Sequence, residues 1–317
     1  MSVPPMGMRI IRADAPIPED LRGAALALGN FDGVHKGHQA VIAAARARGA
    51  PLAAAVFEPH PRDVFQPDAA PFRLQSAGQR ACALAGEGVA AVIEIGFDRT
   101  LAALSPEEFC TSILRNRIAP RTIVVGFDFR FGKDRAGDVD FLARHGARCG
   151  YDVVVVDAVD DAAHPGAKVS STAIRAALAA GDLTEAEALL GRRWAIEGIV
   201  AHGFQRGRTI NVPTANVPLG AYVRPRFGVY AAFVELGDGI ARPAIANIGV
   251  KPTVDGAHAP LVEAHLFDFE GDLYGRLIEV SLAAFLRDER KFQDFATLTA
   301  QIGADIAQAR ALLSAAP

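Results

Sequence analysis

The chain has 317 residues, half of them hydrophobic and 22% charged, which is enough apolar material for about two domains. Its net charge of −3 excludes a protein that grips duplex nucleic acid by broad phosphate neutralisation, while leaving room for a local basic pocket. No apolar run reaches the roughly 18 residues of a membrane span. Cys82, Cys110 and Cys149 stand in neither CxxC nor metal-ligand spacing, so they read as buried thiols of a reducing compartment. The opening MSVPPMGMRI lacks a basic segment followed by an apolar core. A cytoplasmic protein without a secretory signal, a membrane, a nucleic acid or an obligate protein partner is expected.

Short continuous apolar runs recur at residues 24–28, 52–57, 89–95, 122–127 and 152–157, as in strands covered on both faces. Helical patterns separate them at 37–48, 74–86, 105–118, 138–146 and 171–180. Strand and helix in strict turn predict a doubly wound α/β parallel sheet, with ligands beyond the carboxyl ends of its strands. A short helix at 183–190 follows. From Trp194 to about Leu286 the texture changes to short alternating segments broken by Gly and Pro, which predicts a small antiparallel β-barrel. A last helix is expected from about Arg290, with Phe292, Phe295, Leu298, Ile302 and Ile306 as its core stripe. The boundary between domains falls at 186/187.

Residues 29–42 read GNFDGVHKGHQAVI, a Gly/Asn/Asp loop between the first strand and a helix. His35, Lys36 and His38 cluster at the start of that helix, where the dipole disfavours cations. A solvated basic face would explain them, and so would a two-His metal site, although Zn usually takes more protein ligands. An anion site would explain them as well, with helix N–H groups, dipole and imidazoles aimed at a phosphate. The stretch VSSTAIRAAL repeats the pattern. Ser170, Ser171 and Thr172 are hydroxyl caps there, and Arg175 lies in the first turns of the helix.

GNFDGVHKGHQ, FEPHP (57–61), VGFDFRFGKDRAGD (125–138) and VSSTAIR together resemble the adenylyltransferase half of bacterial bifunctional riboflavin kinase/FAD synthetases. The resemblance implies a nucleotidyltransferase domain over residues 1–186. ATP phosphates would lie against Gly29, Asn30, Gly33, His35, His38, Ser170, Ser171, Thr172 and Arg175. FMN would lie near Asn30, Phe31, Asp32, His60, Asp128 and Phe129. The FMN phosphate would attack the α-phosphorus of ATP and release pyrophosphate, with Mg²⁺ bridging phosphates. Asp32 and Asp128 fit loop-shaping as well as ligand contact.

Residues 198–217 read GIVAHGFQRGRTINVPTANV. Gly203 and Gly207, with Arg206 and Arg208, suit a phosphate-cradling loop, though the stretch matches no Walker or dinucleotide fingerprint. In PTAN, Thr214 and Asn216 sit two apart on one side of an extended segment, as Mg²⁺-compatible oxygens or as ordinary turn residues. In LVEAHLF, alternation puts Leu261, Glu263, His265 and Phe267 on one face, with Glu263 either turned outward or acting as a base. GRTINVPTANV, GVY (228–230), NIGVKPT (247–253), LVEAHLFDFEGDLYGR and LRDERKF resemble the riboflavin kinase half of the same family, over residues 187–317. That resemblance implies Thr214 and Asn216 as Mg²⁺/ATP ligands and Glu263 as the base for the ribityl 5′-hydroxyl. It places Gly203, Gly207, Arg208 and Arg287 among the ligand contacts. Phe204, Asn211, Val212 and Lys251 depart from the family pattern, which usually carries Asp, Gly, an aromatic and Arg there.

The expectation is an enzyme that makes FMN and then FAD from riboflavin and two ATP. Two alternatives are an adenylyltransferase with a weakened kinase half and a flavin-binding regulator without turnover.

Overall fold

The computed structural model describes residues 8–49, 51–161, 164, 166–201, 213–252 and 258–314, without the side chains of Lys251, Pro252 and His258. The contacts define two compact units. One holds Val3–Ala70 and Gly78–Ser170, the other Pro71–Ala77 and Ser171–Pro317.

The first unit is built on six parallel strands: β1 (Arg9–Arg12), β2 (Ala25–Leu28), β3 (Leu52–Glu58), β4 (Ala91–Gly96), β5 (Thr122–Gly126) and β6 (Asp152–Val156). Their order is β1-β4-β3-β2-β5-β6. The connecting helices are α1 (Lys36–Arg46), α2 (Pro61–Phe65), α3 (Ala77–Gly86), α4 (Arg99–Ala102), α5 (Pro106–Glu108) with a π-helical continuation Phe109–Ile118, and α6 (Val139–Cys149). The strands read as unbroken apolar runs because both faces are covered. Leu26, Leu28, Ile93, Ile95, Ile123 and Val125 fill one core layer. Ala27, Val56, Val92 and Val124 fill the other, beneath Val41, Ile42 and Ala45 of α1. The chain reverses its direction of winding between β2 and β5, so the loop leaving β2 opens at the topological switch point of the sheet.

The second unit opens with α7 (Ser171–Ala180) and α8 (Leu183–Leu190). Six antiparallel strands follow: β7 (Ala195–Ile199), β8 (Ala215–Pro218), β9 (Gly228–Glu235), β10 (Arg242–Pro252), β11 (His258–Leu266) and β12 (Leu277–Arg287), in the order β7-β12-β9-β10-β11-β8. A bridge between Ala201 and Asn216 joins the two ends of this order and nearly closes the barrel. Its interior is packed by Tyr230, Ala232, Val234, Ala246, Ile248, Val262, Ala264, Val280 and Leu282, all at most 1% exposed. The outer face of β9 and β10 carries Val229, Ala231 and Ile245, which pack under Ala309 and Leu313 of α9 (Phe295–Ser314).

The structure adds the edge strand β1 and corrects three expectations. The helix expected from residue 74 begins at Ala77, because the preceding residues bond to the barrel unit. Arg73 N–H donates to Ala221 O and Arg73 O accepts from Val223 N–H. Leu74 O accepts from the Trp194 indole at 2.7 Å, Arg192 reaches Gln75, and the Ser76 hydroxyl donates to Glu197. The last helix buries Asp305, Ala309 and Leu313 with Ile306 against the core, and Phe295 is 62% exposed instead of inward. Among the cysteines only Cys110 is fully buried, Cys82 and Cys149 being half-buried.

Candidate functional site

The first candidate site starts from the conformation of the β2–α1 loop. Phe31 and Val34 adopt left-handed backbone angles, φ 51° and 41°, with Gly33 at 97° between them. A β-branched residue such as Val34 holds that conformation only where its surroundings enforce it, at a cost of roughly 1–3 kcal/mol. Here Val34 is 1% exposed and its carbonyl accepts from Gln39 Nε2 at 2.9 Å. Phe31 is equally buried, and its ring meets His38 edge-on at 5.2 Å.

His35 is the N-cap of α1. Its Nδ1 accepts from the His38 backbone N–H at 3.3 Å, the place a Ser or Asp oxygen usually takes. Nδ1 as acceptor puts the ring proton on Nε2. The imidazoles of His35 and His38 stack at 3.6 Å, 17° from coplanar. One of the three supposed cations is therefore a neutral cap, and the crowd of charge at this helix start is smaller than the sequence implied. Lys36 is exposed. Gly37 sits tightly, since a Cβ there would come within 3.1 Å of His35 Cε1 and Nδ1 and crowd the ring by a few tenths of an ångström. Asn30 Oδ1 is buried and has no protein partner among the described residues. Such an oxygen costs roughly 1–3 kcal/mol unless a donor arrives from a ligand.

The other expected residues of this half are placed as follows. Asp32 is 4% exposed and Gly29 leaves van der Waals room for the Phe31 ring. His60 caps α2, accepting from Arg62 N–H at 3.1 Å. Glu58, at the end of β3, pairs with Arg80 at 2.7 Å. Asp128 is exposed and lies 3.3 Å from Lys168, whose ammonium also sits 4.8 Å from the Phe127 ring. Phe129 stacks on Phe131 against the core. Helix α7 begins at Ser171, which puts Ser170 at its N-cap position and leaves Thr172 exposed. Arg175 Nε donates to Phe72 O at 2.7 Å and its guanidinium stands 5.4 Å from the Phe72 ring. Its charge is thus partly met by the protein itself.

The second candidate site is a row of side chains across the barrel. Register places Asn216 of β8 opposite Glu263 of β11, and Glu263 opposite Asn247 of β10. Directly opposed residues on antiparallel strands share a face, with Cβ atoms about 5 Å apart. All three are half-buried. Asn247 Nδ2 lies 3.4 Å from Glu263 Oε2 and 3.2 Å from Glu289 Oε1. On the same face His265 Nδ1 donates to Pro213 O at 2.8 Å and so ties down the start of PTAN. Thr214 and Asn216 line an open cleft with Leu266, Phe269, Asp272 and Tyr274 among its walls; Glu263 is not one of them.

Arg287, expected at a ligand, points instead at α9. Nε and one terminal nitrogen fork onto Asp305 at 3.0 and 2.7 Å, and the other terminal nitrogen donates to Asp288 O at 2.9 Å. Gly203, Gly207 and Arg208, with Phe204, Arg206, Asn211 and Val212, lie outside the described residues, as does the Lys251 side chain. Sequence reasoning passed over Gly37, His265, Asn247 and Glu289. The glycine inside HKGH and the alternation that put His265 beside Glu263 were signals for the first two, whereas Asn247 depends on strand register and Glu289 on the path of the chain after β12.

The FAD synthetase family matches residues 17–173 and the riboflavin kinase family residues 190–313. The bifunctional riboflavin kinase/FMN adenylyltransferase of Pseudomonas fluorescens is 44% identical over 309 residues, 96% of this chain and 98% of that one. The chain belongs to the bifunctional riboflavin kinase/FMN adenylyltransferase family. The member from Escherichia coli strain K12 is 43% identical, over 91% of this chain and 92% of its own. A crystal structure described as a macrolide-efflux protein from Streptococcus pneumoniae superposes with a TM-score of 0.82 at 31% identity, over 96% of this chain and 99% of that one. Among the described residues no helix is long and apolar enough to cross a membrane. Both domains of a bifunctional riboflavin kinase/FMN adenylyltransferase are present, the FAD synthetase match spanning the five parallel strands β2 to β6 and the kinase match spanning the barrel.

Proposed function

We propose that residues 187–317 phosphorylate riboflavin with ATP and that residues 1–186 adenylylate the resulting FMN with a second ATP, giving FAD and pyrophosphate. The observation that carries the kinase assignment is the register pairing of Glu263 with Asn216, which sets a carboxylate directly across the strand from an amide of PTAN.

In the kinase half, Glu263 takes the proton of the ribityl 5′-hydroxyl. The oxygen forms its bond to the γ-phosphorus of ATP, the bond from that phosphorus to the β-bridging oxygen breaks, and ADP leaves. Thr214 and Asn216 are the residues that would hold Mg²⁺. Their neutral hard oxygens fit an ion that already carries most of its ligands from ATP phosphates. Bound there, the ion would neutralise charge on the phosphate oxygens. His265 keeps the segment in place through the Pro213 carbonyl.

The adenylyl transfer needs no strong base, because the FMN phosphate is already an anion. Its oxygen attacks the α-phosphorus of ATP and the bond to the bridging oxygen of pyrophosphate breaks. The protein's work is to align two anions and to donate hydrogen bonds where charge builds up. His35 through Nε2–H and His38 serve as those donors, beside Gly29, Gly33 and the N–H groups that open α1. Arg175 meets the departing pyrophosphate with its terminal nitrogens, together with the start of α7 at Ser170, Ser171 and Thr172. Asn30 Oδ1 accepts from a bound ligand. Phe31, Asp32 and Phe129 shape the walls, with His60 and Asp128 on the flavin side. Arg287 docks α9 and is not a ligand contact in this proposal.

The test is the purified chain with riboflavin, ATP and Mg²⁺, products separated by chromatography. FAD is the expected product. FAD only when FMN is supplied would reduce the protein to an adenylyltransferase with a weak kinase, and no turnover would leave a flavin binder. Glu263→Ala is expected to stop FMN formation while sparing FMN-to-FAD conversion; equal loss of both would overturn the division of labour.

A further inference from the structure

We propose that Asn247 is a positioning residue for the kinase base, and that Glu289 fixes the orientation of its amide. The inference rests on the assignment of Glu263 as that base.

Asn247 stands beside Glu263 in the β10–β11 register, with no residue between them. A single nitrogen, Nδ2, reaches two carboxylates, Glu263 Oε2 at 3.4 Å and Glu289 Oε1 at 3.2 Å. That nitrogen carries two hydrogens, so each carboxylate can take one. A half-turn of the amide would set its oxygen against both negative groups at once. Only one orientation of Asn247 is therefore tolerable. In that orientation Asn247 holds Glu263 by Oε2.

The space that Glu289 occupies is built into the strand. Gly249 lies two residues beyond Asn247, on the same face of β10, and a Cβ there would come within 2.3 Å of Glu289 Oε1 and 2.5 Å of its Cδ. Any larger residue would push the second carboxylate off the amide. Asn247 and Gly249 thus cooperate: one supplies the donor, the other the room for the group that orients it. The segment after β12 that delivers Glu289 also contains Asp288, whose carbonyl is fixed by Arg287.

The experiment uses the full chain. Asn247→Asp keeps volume and replaces the donor by an acceptor. It is expected to lower kcat for FMN formation about 10²-fold, the scale of a misplaced reacting group. KM for riboflavin and ATP should stay within about threefold, the pattern of a loss felt in the transition state alone. FMN-to-FAD conversion and the thermal midpoint on the same preparation report folding. The reading that separates positioning from general support is a double-mutant cycle with Glu263→Gln. In that background Asn247→Asp should change the residual rate by less than about twofold, because it acts through Glu263. Equal losses in both backgrounds, or a single variant with unchanged kcat, would overturn the proposal. Gly249→Ala tests Glu289 separately: a smaller fall in kcat is expected, and full activity would remove Glu289 from it. Wild-type kinase activity in Glu263→Gln would instead remove the base assignment, leaving the two failures distinct.

Discussion

The imidazoles of His35 and His38 lie face to face at 3.6 Å, and the cap that His35 provides to His38 N–H fixes which nitrogen bears its proton. The glycine between them sets this geometry. In Gly37→Ala the new methyl would crowd His35 at 3.1 Å and displace the ring or the helix start. FAD formation from supplied FMN should fall severalfold, less than the ~10²-fold that a displacement of about 1 Å carries, because the crowding asks for only a few tenths of an ångström. Riboflavin phosphorylation should be unchanged. Loss of both activities together would point to misfolding rather than to the imidazole.

Arg287 and Asp305 join β12 to α9 across a partly buried ion pair, Asp305 being only 3% exposed. Removing the arginine strands that carboxylate in the core, so Arg287→Leu should cost about 3–5 kcal/mol of stability in denaturant unfolding. Asp305→Asn should cost less, because Gln301 Nε2 also contacts Oδ1 at 2.6 Å and an amide tolerates burial. The double variant should lose less than the sum. Additive losses would mean that the pair is not the link between strand and helix.

His145 is fully buried, with Nδ1 on the Tyr151 hydroxyl at 2.8 Å and Nε2 on Thr111 at 3.2 Å. Burial holds its pKa below the ordinary histidine value, with Glu107 opposing and Arg148 and Arg115 adding to the effect. The unfolded chain, with a pKa near 6.5, then binds the proton more readily than the folded one. The stability tied to neutral His145 is present above about pH 6.5 and is lost as the pH falls toward the folded value. The thermal midpoint should therefore drop between pH 7 and pH 5, and His145→Gln should flatten that part of the curve. An identical pH dependence in the variant would assign the drop to other groups.

Trp194 is the sole tryptophan of the chain, 4% exposed, with its indole N–H on Leu74 O. A fragment limited to residues 187–317 lacks that acceptor. Its emission should shift to the red relative to the full chain and its unfolding midpoint should be lower. Adding a peptide of residues 71–77 should reverse part of the shift. An unchanged spectrum would show that Trp194 does not need the segment.

The sheet and the barrel were legible in the sequence because their strands are patterned differently. Leu52–Phe57 is apolar without alternation, and LVEAHLF alternates. Strand β1 escaped because RIIR is short, begins and ends with arginine, and is only half-covered at the edge of the sheet. The start of α3 was misplaced because the conformation of residues 71–76 is set by acceptors and donors more than a hundred positions away, which no local window contains. The stripe of α9 was misjudged for a related reason. Asp305 faces inward only because Arg287 waits there, and apolar periodicity cannot anticipate a buried acid. His35 and His38 were singled out by type and spacing, whereas Thr214, Asn216 and Glu263 received their proposed roles from the family resemblance. Asn247 and Glu289 were not found, because a strand shows its cross-sheet neighbours only after its register is known, and Glu289 comes from the segment after β12, where no strand pattern places it.

The seven residues Pro71–Ala77 sit inside the stretch matched by the FAD synthetase family, yet they bond to Trp194, Glu197, Ala221 and Val223 and hold Arg175 by the Phe72 carbonyl. Genetic lesions in this protein will accordingly defy a linear map. An allele altered at Leu74 or Ser76 would surface as a kinase phenotype, although its codon lies among those of the other catalyst, and gene fusions or truncations that respect the apparent border would still amputate a working part.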